Sequence, residues 1–225
     1  MQKQLNKLEL FPTLVYYSDN VLDEEHFNII HKHVFSSYKK REEDWQKLHN
    51  KSVAEYWQSL PDLHFQSEYT PLTNQILFAV KSIIQDYDIN VEDFYISGMW
   101  SNVLKKGQFH RPHTHSNNYL TGVFYVESDI TSSHIEFMDP RSQANVMVPE
   151  IITPTKYNSQ IWYLESIKNR LVIFPSWLQH YVPVNNTDNM RSSISFNISL
   201  AGKVNTDKSL QSAVFPYNDK IPYPQ

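Results

Sequence analysis

The sequence contains no cysteine, and only four of its 225 residues are glycine. The absence of cysteine excludes disulfide-stapled scaffolds, thiolate metal sites, iron–sulfur clusters and cysteine nucleophiles. The scarcity of glycine argues against phosphate-cradling loops, and neither G-x-G-x-x-G nor G-x-x-x-x-G-K-[ST] occurs. The start of the chain lacks the apolar core of a signal peptide, and no later stretch approaches a membrane-spanning run. We therefore expect a soluble, cytoplasmic protein outside the Rossmann and P-loop classes.

Apolar residues are abundant, at 40% of the chain with 14% aromatic, which is enough to bury a sizeable core. A length of 225 residues, against roughly 150 per domain, predicts one domain spanning 1–225. The net charge of −4 gives no polybasic signal, so neither nucleic acid nor a membrane is an expected partner. The unusual count is ten histidines.

The hydrophobic pattern changes near residue 90. Before it, apolar residues three and four apart predict a helix from Leu22 to about Lys40, and Thr70 with Pro71 is typical of a second helix start. After it, short segments rich in β-branched and aromatic residues predict strands at 94–104, 119–128, 134–138, 160–165, 170–175, 180–184 and 191–200. This pattern predicts a mainly β jelly roll over 91–201, with a largely helical part (1–90) packed on one sheet. The tail, 202–225, is expected to be extended, with prolines at 216, 222 and 224.

Three histidines lie within six residues, in the segment FHRPHTHSNN. Residues two apart on a strand face the same side, so His113 and His115 can aim two imidazoles at one point. His110 is expected on the other face or in a preceding turn. Neutral imidazole binds Fe, Zn, Cu and Ni, and solvated loop histidines are the alternative interpretation.

Two features further along the chain bear on this choice. His180 lies in an apolar strand, where a satisfied core histidine is the ordinary interpretation. Arg191 opens another strand eleven residues later, with Ser193 on the same side, and an ordinary surface arginine at a strand end is the alternative interpretation. A jelly roll brings distant strands together, so His180 could complete a metal site. A buried arginine is costly without an anionic partner, which a bound dicarboxylate would supply.

The chain resembles the Fe(II)/2-oxoglutarate-dependent dioxygenase superfamily, and most closely a branch of uncharacterised oxygenases from bacteria and phages. The segments that carry this resemblance follow the branch's order: LFPTLVYY (10–17), WSNVLKKGQFHRPHTH (100–115), LTGVFYV (120–126), FMDPR (137–141), FPSWLQHYV (174–182) and RSSISFN (191–197). The resemblance implies a double-stranded β-helix and a cytoplasmic enzyme that uses Fe(II), 2-oxoglutarate and O2.

The resemblance also assigns site residues. His113 and His180 match the two histidine ligands of the metal, and His115 stands where most members have Asp or Glu. Arg191 and Ser193 match the pair that holds the far carboxylate of the cosubstrate.

Three points stay open at this stage. A carboxylate from Asp139 or Glu136, or water, could replace His115 as third ligand, although for Asp139 we favour a structural pair with Arg141. Asn102 could donate a hydrogen bond to the cosubstrate, although a structural bond is the favoured interpretation. The primary substrate and the oligomeric state, including a homodimer, are not determined.

The predicted reaction is hydroxylation of an unidentified substrate, with 2-oxoglutarate converted to succinate and CO2. One alternative is a catalytically silent jelly-roll binding module. Another is a metal-dependent three-histidine enzyme that does not use 2-oxoglutarate, such as a zinc hydrolase, for which no H-E-x-x-H motif is present.

Overall fold

The computed structural model describes residues 5–48, 56–128, 131, 133–141 and 146–216. Its helices are α1 (Glu24–Leu48) and α2 (Thr70–Asp86), with two 3₁₀ turns at Leu63–Phe65 and Ser67–Tyr69. Its strands are β1 (Tyr16–Ser18), β2 (Trp57–Gln58), β3 (Val91–Leu104), β4 (His110–His113), β5 (Leu120–Glu127), β6 (Ile135–Met138), β7 (Ile161–Leu164), β8 (Leu171–Pro175), β9 (His180–Val182), β10 (Arg191–Val204) and β11 (Ala213–Phe215).

The two helices begin and end for local reasons. The Asp23 carboxylate accepts a hydrogen bond from the His26 backbone N–H at 2.9 Å, which caps α1. This helix continues to Leu48, eight residues beyond the predicted end. Helix α2 begins at Thr70, where the sequence predicted a helix start, and Tyr69 occupies its cap position. Its buried face comprises Leu72, Ile76, Val80 and Ile83.

The strands form two antiparallel sheets. The larger sheet has the order β1-β8-β5-β10-β3-β2, with β11 added to β10, and the smaller has the order β4-β9-β6-β7. The helices pack on the larger sheet in one apolar cluster that includes Ile30, Ile76, Phe124 and Phe196. The prediction of a mainly β jelly roll with N-terminal helices packed on one sheet is confirmed.

Alternation along the strands gives the larger sheet two different faces. Ile194 and Phe196 of β10 pack with the helices, whereas Arg191 and Ser193 face the smaller sheet. A second apolar cluster lies between the sheets and comprises Val123, Tyr125, Ile135, Phe137, Val172, Phe174 and Leu178. The candidate site residues of β10 therefore lie inside the sandwich.

The chain after residue 201 differs from the prediction. Strand β10 continues to Val204, and Ala213–Phe215 returns to pair with its end as β11. The predicted extended tail therefore holds a strand of the larger sheet, which sequence alternation over three residues is too short to indicate. The tail prolines at 222 and 224 lie outside the described residues. Within the described ranges, no helix is long and apolar enough to cross a membrane.

Candidate metal and anion site

Three histidines converge between the sheets. One ring nitrogen from each of His113, His115 and His180 lies within 4.8 Å of the others. His113 and His180 are direct partners across β4 and β9, with ring centroids 4.3 Å apart. His115 completes the group, at 5.0 Å from the His113 ring and 5.2 Å from the His180 ring. Three nitrogens at this separation can coordinate one metal ion.

The expectation that His113 and His115 share one strand is wrong. Strand β4 ends at His113, and His115 lies two residues further on, in the loop before β5. The backbone N–H of His115 donates to the Ser176 carbonyl at 2.9 Å, which ties this loop to the end of β8. The pairing of chain segments, rather than strand alternation, therefore brings His115 to the group.

Backbone carbonyls orient two of the rings. Nδ1 of His113 lies 2.8 Å from the Arg111 carbonyl oxygen, and Nδ1 of His180 lies 2.9 Å from the Leu178 carbonyl oxygen. A carbonyl only accepts, so each Nδ1 carries the proton and each Nε2 keeps a free lone pair. This outer-shell support is typical of histidines that bind metals.

Burial keeps the imidazoles neutral. Desolvation, with a smaller contribution from the neighbouring histidines, lowers the pKa of His115 to about 4 and that of His180 to about 3. Burial also lowers the pKa of His113 from its ordinary value. The neutral ring is the form that coordinates metal, so the site is ready to bind without losing a proton.

His110 occupies a different place from the predicted one. Its ring stacks on that of His113, with centroids 4.2 Å apart and planes inclined by 23°. The register between β4 and β9 shifts between these two residues, because three steps on β4 oppose two steps on β9. This bulge turns His110 to the side of His113. Nε2 of His110 lies 2.6 Å from the Tyr56 hydroxyl.

The two alternative carboxylates have other partners. Asp139 receives two hydrogen bonds from the Arg141 guanidinium, at 3.0 and 2.9 Å, as the favoured structural interpretation expected. The Arg141 guanidinium holds the pKa of Asp139 below its usual value. Glu136 accepts a hydrogen bond from the Tyr181 hydroxyl. Within the described parts of the chain, only histidines make up the metal-ligand cluster.

Arg191 is buried, with 2% of its surface exposed. Its Nε donates to the Ser133 carbonyl at 2.9 Å, and one terminal nitrogen lies 3.4 Å from the Ser193 hydroxyl. Its guanidinium carbon lies 5.2 Å from the Tyr125 ring centroid. No described carboxylate pairs with it. Burial lowers the pKa of Arg191, yet a guanidinium stays protonated at neutral pH, so a buried cation lacks a counterion.

Two buried polar atoms beside this cation also lack partners among the described residues. They are the hydroxyls of Tyr125 and Ser133; the Tyr125 hydroxyl makes no hydrogen bond of normal geometry but lies close enough to the Arg191 guanidinium to interact with it electrostatically. Tyr125 is fully buried and lies directly opposite Ser193 in the register of β5 and β10. Other buried polar atoms of the described residues, such as Trp100 Nε1 and Ser192 Oγ, also lack partners, so these two hydroxyls matter because they lie beside the buried cation, where a bound carboxylate would satisfy them. Tyr125 alternates with Val123 along β5, which is the sequence signal that its side chain faces inward.

Asn102 shares the inner face but has structural partners. Its side-chain oxygen accepts from the Gln58 amide at 3.1 Å, and its amide donates to the Ser195 hydroxyl at 2.9 Å. It lies opposite Ser193 in the register of β3 and β10. An amide has two donor hydrogens and can accept twice, so one donor is left after these bonds. Its predicted role toward the cosubstrate stays a prediction.

The donor set fits a transition metal and a dicarboxylate. Three neutral nitrogens suit Fe, Zn, Cu or Ni and leave the charge of a divalent ion uncompensated. An unpaired guanidinium with two free hydroxyls suits a carboxylate. Together they would accommodate a small dianion between the metal and Arg191.

Comparison with known proteins agrees with this arrangement. Residues 98–197, which include all three histidines and Arg191, match the family described as "Putative 2OG-Fe(II) oxygenase". No curated protein matches the chain. Similar solved structures include the prolyl-4-hydroxylase of Pseudomonas putida, with a TM-score of 0.56 and 12% identity, over 83% of this chain and 92% of that one.

Two further structures have bound ligands. The viral collagen prolyl hydroxylase of Paramecium Bursaria Chlorella virus-1, solved as a 2OG complex, has a TM-score of 0.53 and 9% identity, over 82% of this chain and 94% of that one. HygX of Streptomyces hygroscopicus, solved with nickel and 2-oxoglutarate, has a TM-score of 0.52 and 9% identity, over 83% of each chain.

The two sheets and the histidine group between them define the class, a double-stranded β-helix with a three-histidine site. The family match covers residues 98–197, the part of this β-core that holds the histidine group and Arg191, and it supports a relationship to the Fe(II)/2-oxoglutarate-dependent oxygenase superfamily. At 9 to 12% identity, the solved structures support the fold alone.

Proposed function

We propose that the protein is an Fe(II)- and 2-oxoglutarate-dependent dioxygenase that hydroxylates an unidentified substrate and releases succinate and CO2. The observation that carries this proposal is the buried, uncompensated Arg191 guanidinium, which faces the smaller sheet that carries His113 and His180. The family match supports it, as do the ligands named for the viral collagen prolyl hydroxylase and HygX. We also propose that residues 1–225 act as one domain in the cytoplasm.

The proposal gives each residue a task. His113, His115 and His180 would hold Fe(II), which supplies O2 activation coupled to decarboxylation of the cosubstrate. Arg191 would bind the distal carboxylate through charge-assisted hydrogen bonds, with Ser193 beside it. Asn102 would contribute its remaining donor.

Other residues of the chain would shape the site. The Tyr125 hydroxyl would donate a further hydrogen bond to the distal carboxylate. The sequence did not indicate this role. Phe137 and Phe174 pack around His180, with ring centroids 6.4 and 4.8 Å away, and would exclude water from that side.

Charge favours a dianionic cosubstrate. Three neutral imidazoles leave the full double charge on a divalent metal, which a doubly ionised 2-oxoglutarate would neutralise in a poorly solvated interior. An Asp or Glu in place of His115 would leave the complex with a net negative charge. The histidine is therefore electrostatically compatible with cosubstrate binding.

The decisive experiment is anaerobic titration of the iron-loaded protein with 2-oxoglutarate, monitored by the metal-to-ligand charge-transfer band. Wild-type protein is expected to develop the band. Arg191→Ala is expected to need at least about 30-fold more 2-oxoglutarate, because a buried charge pair is lost. Arg141→Ala removes an exposed arginine and serves as the matched control, with an unchanged titration. A band equally strong in Arg191→Ala, or no band in iron-loaded wild type, would contradict the proposal.

Metal affinity tests the third ligand separately. His115→Ala is expected to weaken binding of Fe(II) at least about 100-fold, because a direct ligand is worth more than an outer-shell partner. His26→Ala, which removes a surface histidine that bonds Asp23, is expected to leave affinity unchanged. Equilibrium dialysis under anaerobic conditions measures both variants. Unchanged iron affinity in His115→Ala would reject its ligation.

The same experiments address the alternatives. A three-histidine enzyme without 2-oxoglutarate would bind iron tightly and show no charge-transfer band. A zinc hydrolase would be active with zinc and inactive with iron. A silent binding module would bind neither iron nor 2-oxoglutarate.

A further inference from the structure

His110 and Tyr56 form a hydrogen-bonded pair beside the metal-ligand group, and none of the roles above uses them. The Tyr56 hydroxyl lies 2.6 Å from Nε2 of His110, and their ring centroids are 4.4 Å apart. The His110 ring also stacks on the His113 ring, with their centroids 4.2 Å apart. Because Nε2 of His110 is engaged by Tyr56, that nitrogen is not available to a metal.

The pair lies next to His113 at a place where strand pairing holds the backbone of β4 on one side and with an interruption. Among the described strands, β4 lies at the edge of the smaller sheet and pairs with β9 alone. The register shift between His110 and His113 further interrupts this pairing. Tyr56 immediately precedes β2, which is the edge strand of the larger sheet. The pair therefore links the edges of the two sheets next to His113.

We propose that His110 and Tyr56 are positioning residues that hold the His113 ring in its metal-binding orientation. The inference deepens the proposed function and rests on it for the identity of the metal. His110 restricts rotation of the His113 ring by stacking, and Tyr56 fixes His110 by its hydrogen bond. The Arg111 carbonyl fixes the tautomer of His113 but contacts only one edge of its ring.

The energetic consequence is preorganisation. A ring that is already held in place loses little rotational freedom when it binds a metal, so the affinity is higher. Outer-shell partners of metal-bound histidines typically contribute 10- to 100-fold in affinity. A neutral hydrogen bond contributes less, roughly 3- to 10-fold.

The test is anaerobic titration with Co(II) alone, whose visible ligand-field spectrum reports coordination geometry as well as affinity. Tyr56→Phe is expected to weaken Co(II) binding roughly 3- to 10-fold, because it removes one hydrogen bond and keeps the ring. His110→Phe also removes this hydrogen bond but keeps a ring that can stack on His113. It is therefore expected to weaken Co(II) binding by the same factor as Tyr56→Phe. His110→Ala removes both contacts and is expected to weaken binding about 10- to 100-fold with an altered spectrum. The double variant Tyr56→Phe/His110→Phe should bind no more weakly than either single variant.

The chain contains a matched control pair. His33 and Tyr69 form a similar bond, with Nδ1 2.9 Å from the hydroxyl and ring centroids 5.4 Å apart, between α1 and the turn before α2. Tyr69→Phe is expected to lower the stability of the metal-free protein and to leave the Co(II) affinity and spectrum unchanged. This separates a general loss of stability from a change at the metal.

Three outcomes would overturn the inference. The first is Co(II) binding and spectra in Tyr56→Phe and His110→Ala within about twofold of wild type. The second is an effect of His110→Ala as large as that of His113→Ala, since His110 would then be a ligand. The third is a wild type that binds no Co(II). The experiment needs no 2-oxoglutarate, so a missing charge-transfer band with a normal Co(II) series contradicts only the proposed function.

Discussion

At the scale of single residues, the site is built from groups that lack their usual partners. Arg191 is a buried cation without a described carboxylate, and the Tyr125 hydroxyl beside it has no hydrogen-bond partner among the described residues. Each of these costs free energy in the ligand-free protein. A bound carboxylate would offset both costs at once.

Tyr125→Phe is therefore expected to weaken 2-oxoglutarate binding without lowering the stability of the ligand-free protein. Loss of a hydrogen bond to a charged group should weaken 2-oxoglutarate binding about 10-fold or more. Removal of an unpaired buried hydroxyl should leave the unfolding free energy of the ligand-free protein unchanged or slightly higher. Charge-transfer titration and urea denaturation measure the two effects.

Tyr69→Phe is the control, and its expected result is the reverse: lower stability with unchanged ligand affinity. Its hydroxyl bonds His33, so its loss should cost about 1 kcal/mol of stability without changing 2-oxoglutarate affinity. If Tyr125→Phe behaved like Tyr69→Phe, the Tyr125 hydroxyl would have no role toward the ligand.

At the scale of helices and strands, the sequence predicts those elements whose apolar residues recur with a local period. The apolar spacing of α1 and α2 and the runs of β-branched residues located both helices and seven strands. The sequence did not predict the bulge in β4, because a bulge depends on the register with β9, some seventy residues away. The positions of His110 and Tyr56 follow from that non-local register. That His180 would approach His113 was expected from the jelly-roll topology and from the family resemblance, since no local spacing links two residues so far apart in the sequence.

Gly122 of β5 illustrates a constraint between elements. A Cβ at this position would lie 2.3 Å from the Phe196 ring and 2.4 Å from the Val172 carbonyl oxygen. Gly122→Ala is expected to cost at least about 2 kcal/mol, because the ring and two strands must move apart. Gly98→Ala on β3 is the control: its nearest contact would be 3.7 Å, and it should change stability by less than about 0.5 kcal/mol. Equal midpoints for the two variants in urea denaturation would contradict this packing.

At the scale of the whole molecule, an ion pair connects the segment before α1 to the larger sheet. The Arg170 guanidinium, which is 8% exposed, donates to Asp19 at 2.5 and 2.9 Å. It also donates to the Glu165 carbonyl at 3.1 Å. The hydrogen bonds from Arg170 lower the pKa of Asp19 below its usual 3.8.

The pair makes stability depend on pH in a defined window. The pKa of Asp19 is lower in the folded state, so its contribution is complete above about pH 3.8 and is lost as the pH falls through the folded pKa. Asp19→Asn is expected to cost about 1–2 kcal/mol at neutral pH, since Asp19 is partly exposed. The difference from wild type should shrink toward about pH 3.

Asp188→Asn is the control, because Asp188 pairs with Lys106 on the surface and is 89% exposed. It is expected to leave the unfolding free energy nearly unchanged. Urea denaturation at a series of pH values measures both variants. A cost for Asp19→Asn that stays constant down to about pH 3 would show that the carboxylate charge is not its source.

In the described parts of the chain, the helices pack on the larger sheet, while two of the three candidate ligands belong to the smaller one, whose strands are three or four residues long. Short ladders without a helical cover open more easily than long ones beneath it. Amide protons of β4 and β9 should therefore exchange with solvent faster than those of β5 and β10 in the metal-free protein. A metal that joins His113 to His180 would cross-link β4 to β9, so its binding should slow exchange mainly in this half of the molecule.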